Sequence, residues 1–128
     1  MKKNCDLNAD TLKVALTNTA PVATNHYYAD ISASELANGN GYTTGGATCP
    51  GVSVTNSSGT SSLNMTAITF TSVTGNMGPF RYAYFYDSTP TNKTLIGFSD
   101  YGSSITLNGA AGETFVITPS GNVLLTLV

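Results

Sequence analysis

The chain has 128 residues, of which 41% are hydrophobic and only 9% charged, with a net charge of −2; an ordinary globular domain carries about 25% charged residues. Five Lys and Arg, scattered along the sequence, cannot neutralise a run of phosphates, so a nucleic-acid partner is not expected. No apolar run approaches the roughly 18 residues of a membrane span, and low charge at this hydrophobicity argues against disorder.

Met1-Lys2-Lys3 resembles the charged start of a signal peptide, but the polar Asn4-Cys5-Asp6-Leu7-Asn8 stands where an apolar stretch would follow, so export is not expected. Residues 1–10 form a polar N-terminal arm, and residues 11–128 a single domain. The arm needs something to pin it: a neighbouring subunit, which makes Lys2, Lys3 and Asn4 candidate contact residues, or the chain's own sheet.

A two-residue apolar period runs through most of the remainder. Leu12, Val14 and Leu16 predict a first strand with one buried face, ended by Asn18-Thr19-Ala20-Pro21. Ser32 and Glu35 have capping-box spacing, and Ile31, Ala33, Leu36 and Ala37 predict a short helix near residues 32–37, stopped by Asn38-Gly39-Asn40-Gly41. Tyr42 to Gly51 reads as turns. Val52/Val54, then Leu63/Met65 and Ile68/Phe70 predict further strands. The strongest signal is Phe80 to Asp87, with Phe80, Tyr82, Tyr84 and Tyr86 expected on one face and Arg81, Ala83 and Phe85 on the other; aromatic side chains on both faces predict a strand covered on both sides. Leu95/Ile96/Phe98 supply its hairpin partner, and Ile105/Leu107, Phe115/Ile117 and Val123/Leu125/Leu127 three more strands, with turns at Asn108-Gly109 and Ser120-Gly121-Asn122. The expected fold is all-β: an antiparallel β-sandwich, jelly-roll-like, with one short helix.

The inventory for chemistry is thin. His26 is the one histidine and no GxSxG elbow accompanies it. Cys5 and Cys49 lack zinc-ligand spacing, and two free thiols are expected in preference to a disulfide. Asp87 and Asp100 follow strong strands and read as turn-capping residues rather than calcium ligands. Arg81 either pairs with a carboxylate (Asp87, Asp100 or Glu113) or stacks outward on tyrosines. Gly45-Gly46 lacks the Lys and Ser/Thr of a phosphate loop and reads as backbone that bends or closely approaches a neighbour. No enzyme activity, cofactor, metal or small-molecule substrate is expected. Tyrosine combines large contact area with a polar tip, and Tyr27, Tyr28 and Tyr42 are candidate interface residues.

Four segments, in this order, carry a family resemblance: Leu12-Lys13-Val14-Ala15-Leu16-Thr17-Asn18-Thr19-Ala20-Pro21, Gly41-Tyr42-Thr43-Thr44-Gly45-Gly46, Gly78-Pro79-Phe80-Arg81-Tyr82-Ala83-Tyr84-Phe85-Tyr86-Asp87, and Leu95-Ile96-Gly97-Phe98-Ser99-Asp100-Tyr101-Gly102. Over residues 10–128 the chain resembles small β-rich virion structural proteins of tailed bacteriophages. The resemblance implies a head-decoration (cement) protein on the capsid surface, assembled in the host cytoplasm. Its implied partners are the major capsid protein and copies of itself, with a homotrimer at three-fold positions as the natural arrangement. A head-fibre, tail- or neck-associated protein, or a host-receptor-binding adhesion module, is the alternative.

Overall fold

The computed structural model describes residues 6–127. Nine strands follow in chain order: β1 (Leu12–Thr17), β2 (Ala47–Thr48), β3 (Ser53–Ser57), β4 (Thr60–Asn64), β5 (Ile68–Thr71), β6 (Met77–Asp87), β7 (Leu95–Leu107), β8 (Thr114–Ile117) and β9 (Val123–Leu127). One turn of α-helix, α1 (Tyr28–Ile31), lies between β1 and β2 and runs into a 3-10 turn at Ser32–Ser34. The strands form three sheets, ordered β2-β1-β6-β7, β3-β4-β9 and β5-β8, and every pairing is antiparallel. This is the all-β sandwich expected from the apolar alternation.

The four-stranded sheet is the middle layer. One of its faces, carrying Leu12, Val14, Leu16, Ala83 and Phe85, joins Leu63, Ile68 and Phe70 of the two smaller sheets in the main core. Its other face carries Ala15, Tyr82, Tyr84 and Tyr86 and is covered by Ile31 and Tyr28 of α1. Burying each large apolar side chain contributes about 1.5–3 kcal/mol, so β1 and β6, packed on both faces, hold the fold together.

Several expectations are corrected. β1 has two buried faces, not one: Ala15 and Thr17 are as buried as Leu16, because the chain crosses back over them and the Leu36 N–H donates to the Leu16 carbonyl at 2.8 Å. The helix lies before residues 32–37. Asp30 takes the role assigned to Glu35, its Oδ2 accepting the N–H groups of His26 and Tyr27 at 2.8 Å, while Glu35 is extended and turns inward. Phe80 lies on the face opposite the tyrosines, within the main core, its ring 5.1 Å from that of Phe115. The ladder is irregular on both sides of Phe80: Met77 pairs with Leu107, Phe80 with Ile105 and Tyr82 with Asp100, so three steps on β6 span two on β7 and the next two span five, and the alternation slips at this bulged stretch. The same bulge joins the two segments read as separate strands into one β7. The turn-rich stretch 42–51 also contains the short β2.

Of the N-terminal arm, residues 6–10 lie against the chain's own sandwich: Leu7 packs on the core and Asn8 Oδ1 accepts the Val54 N–H at 3.4 Å. Lys2, Lys3, Asn4 and Cys5 fall outside the described residues. Cys49 is a buried free thiol, and burial pushes its pKa up to about 11, which keeps it protonated and unreactive at neutral pH.

Candidate interaction surface

The tyrosines divide by environment. Tyr42, a candidate interface residue on sequence grounds, is only 2% exposed and belongs to the core. Its hydroxyl donates to Glu35 Oε1 at 2.5 Å and accepts the Leu16 N–H at 3.1 Å. The same Glu35 oxygen accepts the Gly45 N–H at 2.8 Å, and Oε2 accepts the Tyr28 hydroxyl. The Tyr86 hydroxyl donates to the Gly45 carbonyl at 2.6 Å. Three tyrosines and one carboxylate therefore clamp the helical segment and the Gly45 turn onto the central sheet. Burial, then the Glu35 charge, raises the pKa of Tyr28 and Tyr42, and burial pushes Tyr86 up to about 12. Tyr28 is half-buried, stacked at 4.8 Å on Tyr86 beneath the Lys93 ammonium, 5.2 Å from the ring. Of the three candidates only Tyr27 is well exposed, at 41%, beside a shallow hollow that includes Thr91, Asn92 and Lys93.

The charged residues serve local structure. Arg81 makes a bidentate pair with Asp100, at 2.7 and 2.9 Å, while its guanidinium lies 5.2 Å from the Tyr82 ring centroid; both sequence readings of Arg81 hold at once. Asp100 also accepts the Gly102 N–H at 2.8 Å, and these partners hold its pKa below the usual carboxylate value. Asp87 is buried and caps its turn through the Thr89 N–H at 3.0 Å. Among the described residues no three His, Cys, Asp or Glu side chains converge as metal ligands. The Asp6-x-Asn8-x-Asp10 spacing, passed over in the sequence, approaches that of a calcium loop but has Thr11 where such a loop needs glycine. Its side chains bond backbone instead: Asp10 accepts the Asp6 N–H at 2.6 Å and Asn8 faces Val54.

What stands out is apolar and lies at one side of the sandwich. β7, β8 and β9 are each the terminal strand of their sheet, and there the layers part. Between them lies an open groove of about 370 Å³, lined by Ile96, Phe98, Ile117, Val123 and Leu125 over the buried Phe85. A second hollow of about 200 Å³ lies beside Pro21, Val22, Ala23 and Tyr84, and shares Ile96, Gly97 and Phe98 with the first. Of the seven exposed large hydrophobics among the described residues, four sit on these three strands: Phe98 (51%), Tyr101 (57%), Val116 and Leu125; Val22 lines the adjoining hollow. Scattered apolar side chains need no explanation, whereas a cluster of this kind marks a contact surface.

Sequence reasoning identified none of these five as interface residues, since being an edge strand is a property of topology. One signal was available: Leu95–Leu107 contains neither Lys nor Pro, the residues that usually guard an exposed edge. Comparison of the chain with protein-family models, with curated proteins and with solved structures found no match.

Proposed function

We propose that the chain is a structural component of a tailed-phage virion: a capsid decoration protein that stiffens the head by binding the major capsid protein and copies of itself, arranged as trimers at three-fold positions. The observation that carries this reading is the uncharged apolar surface around β7, β8 and β9, borne by a sandwich packed on both faces of its central sheet. A cement protein needs a rigid body and a surface that gains from being covered. Low charge lessens the desolvation cost at each contact, and many weak contacts on one shell add to firm attachment. The ordered resemblance of four segments to phage virion proteins supports the same reading.

Gradient-purified virions provide the test. Quantitative mass spectrometry is expected to find hundreds of copies per particle, in fixed ratio to the major capsid protein. A handful of copies would move the chain to the tail or neck, where the exposed Tyr27 beside Asn92 and Lys93 suits a receptor contact. None would overturn the proposal.

A further inference from the structure

We infer that a second copy of this chain docks on the outer edge of β7 by antiparallel strand addition, β7 against β7, over Ile96–Ser99. This deepens the decoration-protein reading and rests on it for its biological use: a two-fold contact cannot close a trimer, so it joins copies of neighbouring trimers, which themselves form only on the capsid. The edge is covered up to Leu95, whose N–H donates to the His26 carbonyl at 2.9 Å. Ile96 is the extra residue of a small bulge opposite Phe85 and Tyr86, and from Gly97 to Asp100 the strand pairs on its inner side with β6; no described residue bonds the outer side of Ile96–Ser99. Gly97, at the centre, has open space where a side chain would stand, so its backbone is accessible to another strand. Beyond Asp100 the bulge at residues 101–104 turns the chain aside and ends the available edge.

The two hollows decide what fits. Side chains of an added strand alternate between the two faces of a sheet. Here one hollow opens toward Val22 and Tyr84 and the other toward Ile117 and Leu125, on opposite faces of the β7 edge. An incoming strand therefore requires apolar side chains on both of its faces, and no charge, because neither hollow has a charged lining residue. β7 itself has this character: Ile96 packs toward the main core, whereas Phe98 points to the opposite face, its ring 6.0 Å from Tyr84. The nearby carboxylate, Asp100, is already neutralised by Arg81. Two copies related by a two-fold axis each present what the other's hollows accept, which is the isologous arrangement of most dimers.

The area sets the strength. An exposed aromatic side chain offers about 200 Å², so half-exposed Phe98 supplies about 100 Å². With Val22 and Leu125, which line the two hollows, the patch reaches about 250 Å² per copy, or about 500 Å² for the pair, well below the roughly 1,200 Å² of a stable standard interface. The pairing is accordingly weak in solution, with a dissociation constant on the order of 10–100 μM, and is reinforced where copies are held side by side.

Sedimentation equilibrium of the full chain from about 5 μM to 1 mM is expected to show a monomer–dimer equilibrium in this range. Phe98→Lys and, separately, Val22→Lys are each expected to weaken it at least tenfold. Val22 lies on a loop outside the sheets, so its variant keeps the test decisive if Phe98→Lys does not fold. A monomer throughout overturns the inference. So does a dimer or trimer unaffected by Val22→Lys and by any folded Phe98→Lys, since such an association uses another surface. Neither result would alter the number of copies found on virions, which tests the decoration-protein reading separately.

Discussion

Gly46→Ala is expected to abolish folding or to cost at least about 4 kcal/mol, far more than substitution at an ordinary turn glycine. Gly46 lies immediately before β2 and adopts φ +71°; a Cβ at this position would stand 1.8 Å from the Val14 carbonyl oxygen and 2.6 Å from its carbon. The obstacle is the backbone of β1, where Val14 pairs with Ala47 on one side and Phe85 on the other. No rotamer change relieves such a contact, so β2 would have to leave the sheet. Gly59, at the tip of the β3–β4 hairpin, also has positive φ but nothing near its missing side chain, and its alanine variant is expected to cost only about 1 kcal/mol. Urea denaturation of the two variants measures the contrast. Equal, small losses would mean that the backbone approach at Gly46 is not the close packing described.

The second large effect belongs to Glu35. Its carboxylate accepts hydrogen bonds from Tyr28, Tyr42 and Gly45, and Glu35→Ala leaves the buried Tyr42 hydroxyl without its acceptor. Charge-assisted bonds contribute about 1.5–3 kcal/mol each; with solvent reaching the outer part of the network, a total loss of about 3 kcal/mol is expected. The pH dependence carries the same signature. In the unfolded chain the tyrosines ionise near pH 10, whereas in the folded chain Tyr28, Tyr42 and Tyr86 are all raised, Tyr86 to about 12. Above pH 10 the unfolded state therefore binds fewer protons than the folded state, and stability falls with rising pH. This contribution is fully present below pH 10 and is lost as pH climbs toward 12. In Glu35→Ala the fall is expected to be shallower but still present, because burial, the first cause of each shift, remains. Melting temperatures of both proteins between pH 7 and 12 measure this. Parallel curves would show that Glu35 has no part in holding the tyrosines protonated.

The legibility of the fold in the sequence followed the reach of each signal. Alternation marked β3 and β5, because a strand half-exposed or packed against one layer sorts its residues by face; in β1 it marked Leu12, Val14 and Leu16 but missed the second buried face, under Ala15 and Thr17. It misplaced Phe80, because the period slips where the ladder with β7 loses register on both sides of that residue, which depends on the pairing and not on the local pattern. The helix was located four residues late because Ser32 and Glu35 have the spacing of a capping box, yet Glu35 gains more from two tyrosine hydroxyls that only the folded chain brings to it. Gly45-Gly46 was legible as a place of close approach, since two adjacent glycines outside any phosphate loop have few other uses. Tyr42 was misjudged as an interface residue for the converse reason: a polar, turn-rich neighbourhood hides the fact that its ring fills the core beside Phe70. The candidate surface was not legible, since it exists only where three sheets end together.

Amide hydrogen exchange tests the central claim most directly: that the chain works by having the open edge of its sandwich covered. The exchange of the full chain is compared between dilute solution and its assembled form. The outward-pointing amides of Ile96–Ser99, those not bonded to β6, are expected to exchange rapidly when free and to become strongly protected on assembly, together with residues 116–125 along the groove, while β3 remains unchanged. Protection that appears elsewhere and leaves Ile96–Ser99 exposed would contradict the account.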